Sequence, residues 1–504
     1  MKNLVLAGGG TAGHVKPMLA LAERLQSERL PSERLTLGKL QSASKIRVHF
    51  IGTREGLEAQ LVPAAGYPLH VIPKTPLVRH PSKSWFTLPF QVGEAIQICQ
   101  ATFEKLQPAA VIGFGGYVAL PAYFAAKRLG IPIIIHEQNA IPGLANKAAK
   151  KWAKRVCVTF PNTKLRDDQI LTGLPFTSAF QSAIASVTYP PHSITNATTT
   201  DVETSSAATA TSTTDTLVNT TSTDTEYTAA TAIASTSTTT AITNIAINTA
   251  TTAISATDTL ANTASTKTAT IAATNTDTAG TSTAINTKAD NTYNKTILVS
   301  GGSLGAQSIN QVVAAAAQTM PDQIRIIHIT GRGKSAAVLE SVPRALIERQ
   351  QYQVLEFTDD MLSLYQSADL VIARAGAGMV SEITGLGIPT LFVPLGHGNG
   401  EQLYNAQTAV NAGGAWLVKD ADFTPEYVAQ RIFPLLNDTK QLIEMSHALK
   451  KIAIADGTDR LWQIVKDITA GTSPALVETD QSAGSKQNIT TSQSLQASNT
   501  GDLQ

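Results

Sequence analysis

Four glycine-rich turns hold the residue types that can do chemistry in this chain. Gly8–Gly13, in LVLAGGGTAGHVKP, runs straight into His14, and GFGGY covers Gly113–Tyr117. GGSLGA covers Gly301–Ala306, and RAGAGMVSEI runs from Arg374 to Ile383. Glycine lets a backbone approach a ligand closely, and a helix that starts just after such a turn presents free N–H groups of positive partial charge. That suits a phosphate or a developing anion. A helix start also disfavours imidazolium, so a histidine placed there stays neutral near pH 7 and can accept a proton. Taken singly, each turn also reads as a plain strand-to-helix connection. The spacing Gly8, Gly10, Gly13 formally matches the dinucleotide fingerprint, but the second strand, RVHFIGT, ends in Gly52 and Thr53 without the acidic residue that would hold a ribose. TGRGKS at Thr330–Ser335 has His328 where a P-loop needs its first glycine.

The elements that must position these turns repeat. Apolar runs at Arg47–Ile51, Ala109–Gly113, Pro132–His136 and Val156–Val158 alternate with helical patterns in a first block, 1–180. Arg325–Ile329, Asp369–Ala373 and Pro389–Val393 do the same in a second block, 293–470. Runs without polar alternation, separated by helices, predict parallel sheets covered on both faces. The fold class is therefore α/β, two doubly wound domains with their glycine turns at the carboxyl ends of strands, where open sheets bind ligands. Between the blocks, residues 186–291 are almost all Thr, Ala, Ser, Asn, Asp and Ile, and no Phe or Trp occurs from Gln181 to Glu356. Such a segment has little apolar surface to offset ordering entropy and reads as a disordered insert. Its rival is a repetitive β structure, which Thr and Ile favour but for which no fixed period exists. The Ser/Thr/Gln-rich tail, 471–504, also reads as disordered.

Composition narrows the function classes. In 504 residues, 39 Lys+Arg against 38 Asp+Glu leave a formal net charge of +1. That argues against a protein whose task is to grip nucleic acid. Cys99 and Cys157 stand far apart and support neither a disulfide framework nor a zinc site. KNLVLAGGG breaks its apolar run too early for a signal peptide, and no stretch approaches the roughly 20 apolar residues of a membrane span.

The motifs GGGTAGHVKP, GFGGY, HEQNAIPGLANK, GGSLGAQSIN, EFTDDM, RAGAGMVSEI and GEQLYNA occur in that order. As a set they resemble the MurG family of bacterial peptidoglycan glycosyltransferases, and the likeness covers everything but the insert and tail. The resemblance implies a GT-B fold, two Rossmann-like domains around a cleft. It implies transfer of N-acetylglucosamine from UDP-N-acetylglucosamine to the muramyl sugar of lipid I, an undecaprenyl-pyrophosphoryl-muramyl-pentapeptide, giving lipid II with inversion. On the donor side it implies diphosphate contacts at Ser303 and at the helix start Ala377, Gly378, Met379, Val380 and Ser381, ribose contacts at Glu382, uracil contacts at the backbone of Thr358, and sugar contacts at Gln402. Thr11, Ala12, Gly13 and Asn139 would approach the donor from the other domain. Gly115, Gly116, Tyr117, His136 and Glu137 would serve the acceptor, though His136 reads equally as a buried structural residue. His14 would take the acceptor hydroxyl's proton, or would only orient the acceptor or cap the turn. No cofactor or metal is implied, because helix N–H groups can stabilise departing UDP and neither Asp167–Asp168 nor Asp359–Asp360 has DxD spacing.

The chain departs from the family pattern at several points. Ala12 stands where a glycine is usual, so its backbone must avoid positive φ or tolerate strain. Gly173-Leu-Pro-Phe-Thr177 lacks the arginine common there, and Leu304 replaces a common glutamine. The insert falls in the interdomain connection, where removing about Ser186–Asn291 should leave activity within a few-fold. Lipid I is membrane-anchored, so an anionic membrane surface is an implied partner, with the enzyme peripheral on the cytoplasmic face of the inner membrane. Val71–Phe90, with Lys74, Arg79, Lys83, Trp85, Phe86 and Phe90, and the basic run Asn146–Arg155 fit such contact or an ordinary solvated face. The alternatives are a GT-B transferase for another nucleotide sugar or lipid acceptor, or a weakened homologue that scaffolds cell-wall synthesis proteins. The same resemblance ties the chain to cell shape, cell cycle and division.

Overall fold

The computed structural model describes residues 2–27, 46–74, 88–187, 189, 293–396 and 399–470. Except at positions 186, 187 and 189, the expected insert 186–291 lies outside the described residues, as does the tail 471–504. The rest belongs to one compact unit, Met1–Asn196 with Ala284–Gln504.

Two parallel sheets organise it. The first holds β1 (Lys2–Ala7), β2 (Ile46–Gly52), β3 (Leu69–Val71), β4 (Ala110–Gly113), β5 (Ile133–Glu137), β6 (Arg155–Val158) and β7 (Ile170–Leu171), in the order β3-β2-β1-β4-β5-β6-β7. The second holds β8 (Lys295–Ser300), β9 (Ile324–Ile329), β10 (Tyr352–Leu355), β11 (Leu370–Ala373), β12 (Thr390–Phe392) and β13 (Ala415–Leu417), in the order β10-β9-β8-β11-β12-β13. Successive strand residues face opposite sides, and both sides are apolar. Leu4 and Leu6 enter one cluster while Val5 and Ala7 enter another, and Ile297 and Val299 divide from Leu298 in the same way. This is why no polar alternation marks these strands.

The first half carries α1 (Ala12–Ser27), α2 (Glu58–Ala64), α3 (Leu88–Leu106), α4 (Gly116–Arg128), α5 (Leu144–Ala149) and α6 (Ser178–Ser186). The second carries α7 (Gln307–Ala316), α8 (Ser335–Ser341), α9 (Arg344–Glu348), α10 (Met361–Gln366), α11 (Ala377–Leu386) and α12 (Glu401–Asn411), then a short helical stretch at 425–437, α13 (Thr439–Ile452) and α14 (Gly457–Ala470). The expected block 293–470 does not keep its last helix. In α14, Leu461, Trp462 and Val465 are buried in the cluster that holds Leu4, Leu6 and Leu21. Arg24 of α1 meets Asp459 at 2.7 Å, and Lys2 Nζ donates to the Thr469 carbonyl. Burying such side chains is worth about 2–3 kcal/mol each, which holds α14 to the first half.

In each sheet the strand order reverses beside the first strand, between β1 and β4 and between β8 and β11. Ligand crevices of open α/β sheets lie at the carboxyl ends of such strand pairs. The GGGTAGH and GFGGY turns flank the first crevice, and GGSLGA and RAGAG flank the second.

Candidate active site

At the first crevice the opening turn closes onto a buried acid. Glu58 has no exposed surface, and its Oε2 accepts from the Gly10 N–H at 2.9 Å. Its Oε1 accepts from the Thr53 N–H and hydroxyl, both at 2.9 Å. Gly10 has a φ of 90°, which a side chain would resist, and this conformation aims its N–H at the carboxylate. The sequence reading missed Glu58. The available signal was an acid five residues after the polar end of a strand, in a position to reach back to it.

The helix α1 then begins at Ala12, which is not among the residues of positive φ. His14 sits in its first turn, half-buried, with Nδ1 2.9 Å from the Thr11 hydroxyl. Its Nε2 points at Gly115, 3.6 Å from where a Cβ on that glycine would lie. Burial pushes the imidazole down to about 4, against an opposing pull from the Glu58 charge. The ring is therefore neutral near pH 7, with one nitrogen directed at the second turn.

That second turn packs on the first. Gly116 has a φ of 74°, and a Cβ there would come within 2.8 Å of the Gly9 carbonyl oxygen. The Tyr117 ring lies against Gly10, with its hydroxyl 3.3 Å from the Thr53 hydroxyl. Beneath them the Tyr123 hydroxyl donates to Asn146 Oδ1 at 2.8 Å, and Asn146 Nδ2 donates to Glu137 Oε2 at 2.9 Å.

The HEQNAIPG loop, from His136 to Gly143, is held by its own side chains. Glu137 accepts from the N–H groups of Asn139, at 3.0 Å, and Gly143, at 2.9 Å. Burial raises its carboxyl above the usual range, and these hydrogen bonds oppose the rise. His136 is fully buried, with Nε2 3.0 Å from the Gly173 carbonyl and Nδ1 3.0 Å from Gln138 Nε2. Burial pushes it down to about 4. Nε2–H therefore donates to the carbonyl, and Nδ1 accepts from the amide. His136 and Glu137 thus lie under the loop, engaged with it, while Gly116 and Tyr117 are part-exposed above.

The second crevice is arranged otherwise. The helix α11 starts at Ala377 with Gly376 as its cap, and no side chain caps it. The Val380 N–H already bonds the Gly376 carbonyl at 2.9 Å, leaving the earlier N–H groups outside that ladder. A Cβ on Gly376 or Gly378 would meet nothing within 4 Å. Glu382, one turn further on, accepts from the Tyr365 hydroxyl at 2.9 Å. That hydroxyl also lies 2.8 Å from Met379 Sδ, but its one proton belongs to the carboxylate, the stronger acceptor. Burial raises the Glu382 carboxyl, while the charge of Lys16 in α1 and the Tyr365 bond pull it down. Ser381 is half-buried beside it. Ser303 and Leu304 are exposed on the GGSLGA turn. Thr358 Oγ1 accepts from the Asp360 N–H at 3.0 Å, and Asp360 in turn caps α10 through Ser363 at 3.1 Å. Gln402 Oε1 accepts from the Leu395 N–H at 3.0 Å. Positions 397 and 398 of the loop before α12 lie outside the described residues.

One amide joins the two crevices. Asn405 in α12 is fully buried, and its Nδ2 donates to Asn139 Oδ1 at 3.3 Å and to the Ala375 carbonyl at 3.1 Å. Its Oδ1 accepts from the Ala140 N–H at 2.8 Å. The HEQN loop of the first half is thereby stitched to the turn that opens α11. In the sequence Asn405 is only one letter of GEQLYNA. A primary amide both donates and accepts, which fits it for such a bridge, but nothing in its sequence context says across what. At the crossing, Thr177 caps α6 through the Phe180 N–H at 3.4 Å.

Comparison with known proteins gives the family and the fold. Residues 35–158 match the glycosyltransferase family 28 N-terminal domain and residues 296–461 the C-terminal domain. A Nocardioides protein named UDP-N-acetylglucosamine–N-acetylmuramyl-(pentapeptide) pyrophosphoryl-undecaprenol N-acetylglucosamine transferase is 32% identical, over 93% of this chain and 99% of its own. A Streptomyces coelicolor protein of the same name is 32% identical, over 93% and 98%. The crystal structure of Acinetobacter baumannii MurG superposes with a TM-score of 0.57 at 23% identity, over 93% of this chain and all of that one. The calicheamicin glycosyltransferase CalG4 does so at 0.52 and 12%, over 93% and 98%. The two structures bear on the fold alone, and that fold is GT-B.

Proposed function

The chain belongs to glycosyltransferase family 28, and from that premise we propose how its residues move N-acetylglucosamine from UDP-N-acetylglucosamine to lipid I. It is a UDP-sugar glycosyltransferase of peptidoglycan synthesis, with lipid II as product. The donor sits at the second crevice. Its diphosphate meets the N–H groups at Ala377, Gly378 and Met379, with Val380 and Ser381 behind them and Ser303 opposite. Its ribose hydroxyls donate to Glu382, its uracil is read by the backbone at Thr358, and its sugar meets Gln402 and Asn139. The acceptor sits over Gly115, Gly116 and Tyr117. Its hydroxyl attacks the anomeric carbon in line, its proton passes to His14 Nε2, and the C–O bond to UDP breaks. The departing charge is stabilised by the α11 helix start. Thr11, Ala12 and Gly13 form the turn that carries His14 to this point.

One observation carries the reading. His14 Nε2 faces Gly115 across the first crevice, while Asn405 ties that half to the uncapped start of α11. Release of UDP from UDP-N-acetylglucosamine, with and without a lipid I analogue and against UDP-glucose, tests it. Release that depends on the analogue and prefers N-acetylglucosamine is expected; release indifferent to both would reject it.

The acceptor's lipid places the reaction at a membrane surface, and we take the enzyme to be peripheral there, on the cytoplasmic face. No described helix is long and apolar enough to cross a membrane. Phe90 is 80% exposed, Leu144 is exposed, and Lys147, Lys151, Lys154 and Arg155, which follow Leu144 in the chain, are exposed too. Trp85 and Phe86 lie outside the described residues. Exposed apolar side chains together with exposed cations fit an anionic bilayer. Flotation with anionic liposomes, lost on Phe90→Ser with Leu144→Ser, checks this; unchanged flotation would remove these residues from the contact.

A further inference from the structure

The helix α6 lies between α1 and α11. On one side the N–H of Ser178 donates to Glu23 of α1 at 3.3 Å, and the Ser178 hydroxyl donates to the same carboxylate. On the other side Ile184 and Phe176 close over Gly385 of α11, where a Cβ would stand 2.8 Å from Ile184 Cδ1. Helical spacing then tells which side chains point the same way. Lys16 precedes Glu23 by seven residues, two turns along one face of α1, and Glu382 precedes Gly385 by three along one face of α11. Both residues stand nearer their helix starts than the contacts with α6. The ammonium and the carboxylate therefore stand on the faces that the two helices turn toward α6, and the Lys16 charge is felt at Glu382.

Lys16 is exposed and makes no hydrogen bond or contact-distance ion pair among the described residues. The cations around the second crevice are differently placed. Arg374 is spent on the carbonyls of Val393 and Pro394, on Asp420 at 2.6 Å and on Ser308. Lys334 donates to the Leu304 carbonyl, and Arg332 lies 4.6 Å over the Phe357 ring. Lys450 donates to the Val187 carbonyl. A helix start supplies only about half a positive charge, while a nucleoside diphosphate carries about two negative ones. Among the described residues the site as read above lacks a cation, and Lys16 is one whose charge acts on Glu382 there.

We propose that Lys16 is the residue by which the N-terminal half grips the donor's diphosphate, its ammonium turning from Glu382 to the phosphate oxygens when a nucleoside diphosphate lies at the start of α11. This rests on the reading that α11 holds the donor. Because negative charge grows on UDP as it leaves, a cation there binds the transition state more strongly than the substrate. Lysine suits this use, as a mobile point charge on a flexible stem that can serve the carboxylate first and the phosphates afterwards.

The test compares the dissociation constants of UDP and of uridine for the full chain and its Lys16→Gln and Lys16→Arg variants. Uridine keeps base and ribose but has no phosphate. UDP affinity is expected to fall tenfold or more in Lys16→Gln and to recover largely in Lys16→Arg, with uridine within twofold throughout. UDP affinity unchanged in Lys16→Gln would overturn the proposal. So would an equal loss for uridine, since Lys16 would then act only by orienting Glu382. A wild-type chain that binds no UDP would bring down the donor-site reading and this proposal with it, whereas wild-type binding with an indifferent Lys16→Gln brings down this proposal alone.

Discussion

In the N-terminal half each of the two buried acids at the turns accepts from two backbone N–H groups as well as from a side chain. Glu58 holds Gly10 and Thr53, and Glu137 holds Asn139 and Gly143. In the C-terminal half the acid at the turn, Glu382, accepts from a tyrosine hydroxyl, and the helix start it follows has no side-chain cap. Both halves use the same strand–turn–helix plan. The first spends its carboxylates on fixing the turn, so that His14 is aimed at one point. The second leaves helix N–H groups and a carboxylate for a ligand to meet. A base must be placed to within fractions of an ångström, whereas an anion is captured by a field, and the two constructions match those two needs.

The largest effects should separate the halves. His14→Ala is expected to cut turnover on the order of a hundredfold or more, with UDP affinity within twofold of wild type. Glu382→Ala should do the converse, raising KM for UDP-N-acetylglucosamine about tenfold with a smaller change in kcat. Steady-state kinetics with UDP titration reads both. If His14→Ala weakened UDP binding as much as turnover, the division of labour drawn here would be wrong.

Next comes Glu58→Gln. A glutamine side chain has one acceptor oxygen where the carboxylate has two, so its amide N–H would face the N–H of Gly10 or of Thr53. An unsatisfied buried donor costs about 1–3 kcal/mol, and the turn that carries His14 loosens with it. Turnover is expected to fall tenfold or more, together with a lower denaturant midpoint. A variant of unchanged midpoint and turnover would show that the acid does not hold the turn.

How far the sequence carries can be judged on these residues. The strand expected at Arg47–Ile51 is Ile46–Gly52, and that at Arg325–Ile329 is Ile324–Ile329, because an apolar run between helical patterns is a local signal. The edge strands β3, β7, β10 and β13 passed unseen, since they are short and only part-buried and so carry a weaker apolar signal than equally short central strands such as β4 and β12, which are buried throughout. The return of α14 to the first half was invisible for another reason. An amphipathic helix shows that it has a buried face, not against which sheet. The glycine turns and His14 were legible by type and spacing. Asn405 and the Gly10 bond of Glu58 were not, because the partners are far along the chain: 48 residues from Glu58 to Gly10, and 265 from Asn405 to Ala140; only the bond of Glu58 to Thr53, five residues back, left a local signal.

The pH dependence sharpens the comparison with a smaller effect. The base must be neutral to accept a proton, so turnover is lost as pH falls through the pKa of His14. With that value pushed down to about 4 by burial, the acid limb should begin well below the ordinary histidine range. Turnover at pH 5.5 is expected within about twofold of its neutral value, whereas a base titrating near 6.5 would lose about tenfold. A kcat profile from pH 4.5 to 8 decides this, and an acid limb centred near 6.5 would show that His14 is not shielded as its surroundings imply.

The smallest effect is expected where the two halves are joined. The Tyr189 hydroxyl donates to the Asp369 carbonyl at 2.9 Å, and the Asp369 carboxylate accepts from the Thr296 N–H at 2.8 Å and from Lys295 Nζ at 3.2 Å. The chain therefore leaves the described structure at position 189 and re-enters it at 293 near one point, Asp369 at the foot of β11. A link of a few residues can close that gap. Replacing positions 191–291 by a short Gly/Ser link shortens the connection by roughly four doublings, each worth about 0.6 kcal/mol of closure entropy in favour of the folded state. Every residue named above at the two crevices lies outside the removed segment. Turnover should accordingly stay within a few-fold, and the unfolding free energy within about 2–3 kcal/mol, of wild type. Loss of folded, active enzyme on that exchange would mean that the segment holds the halves together, and the joint between them would have to be sought there instead of at Asn405.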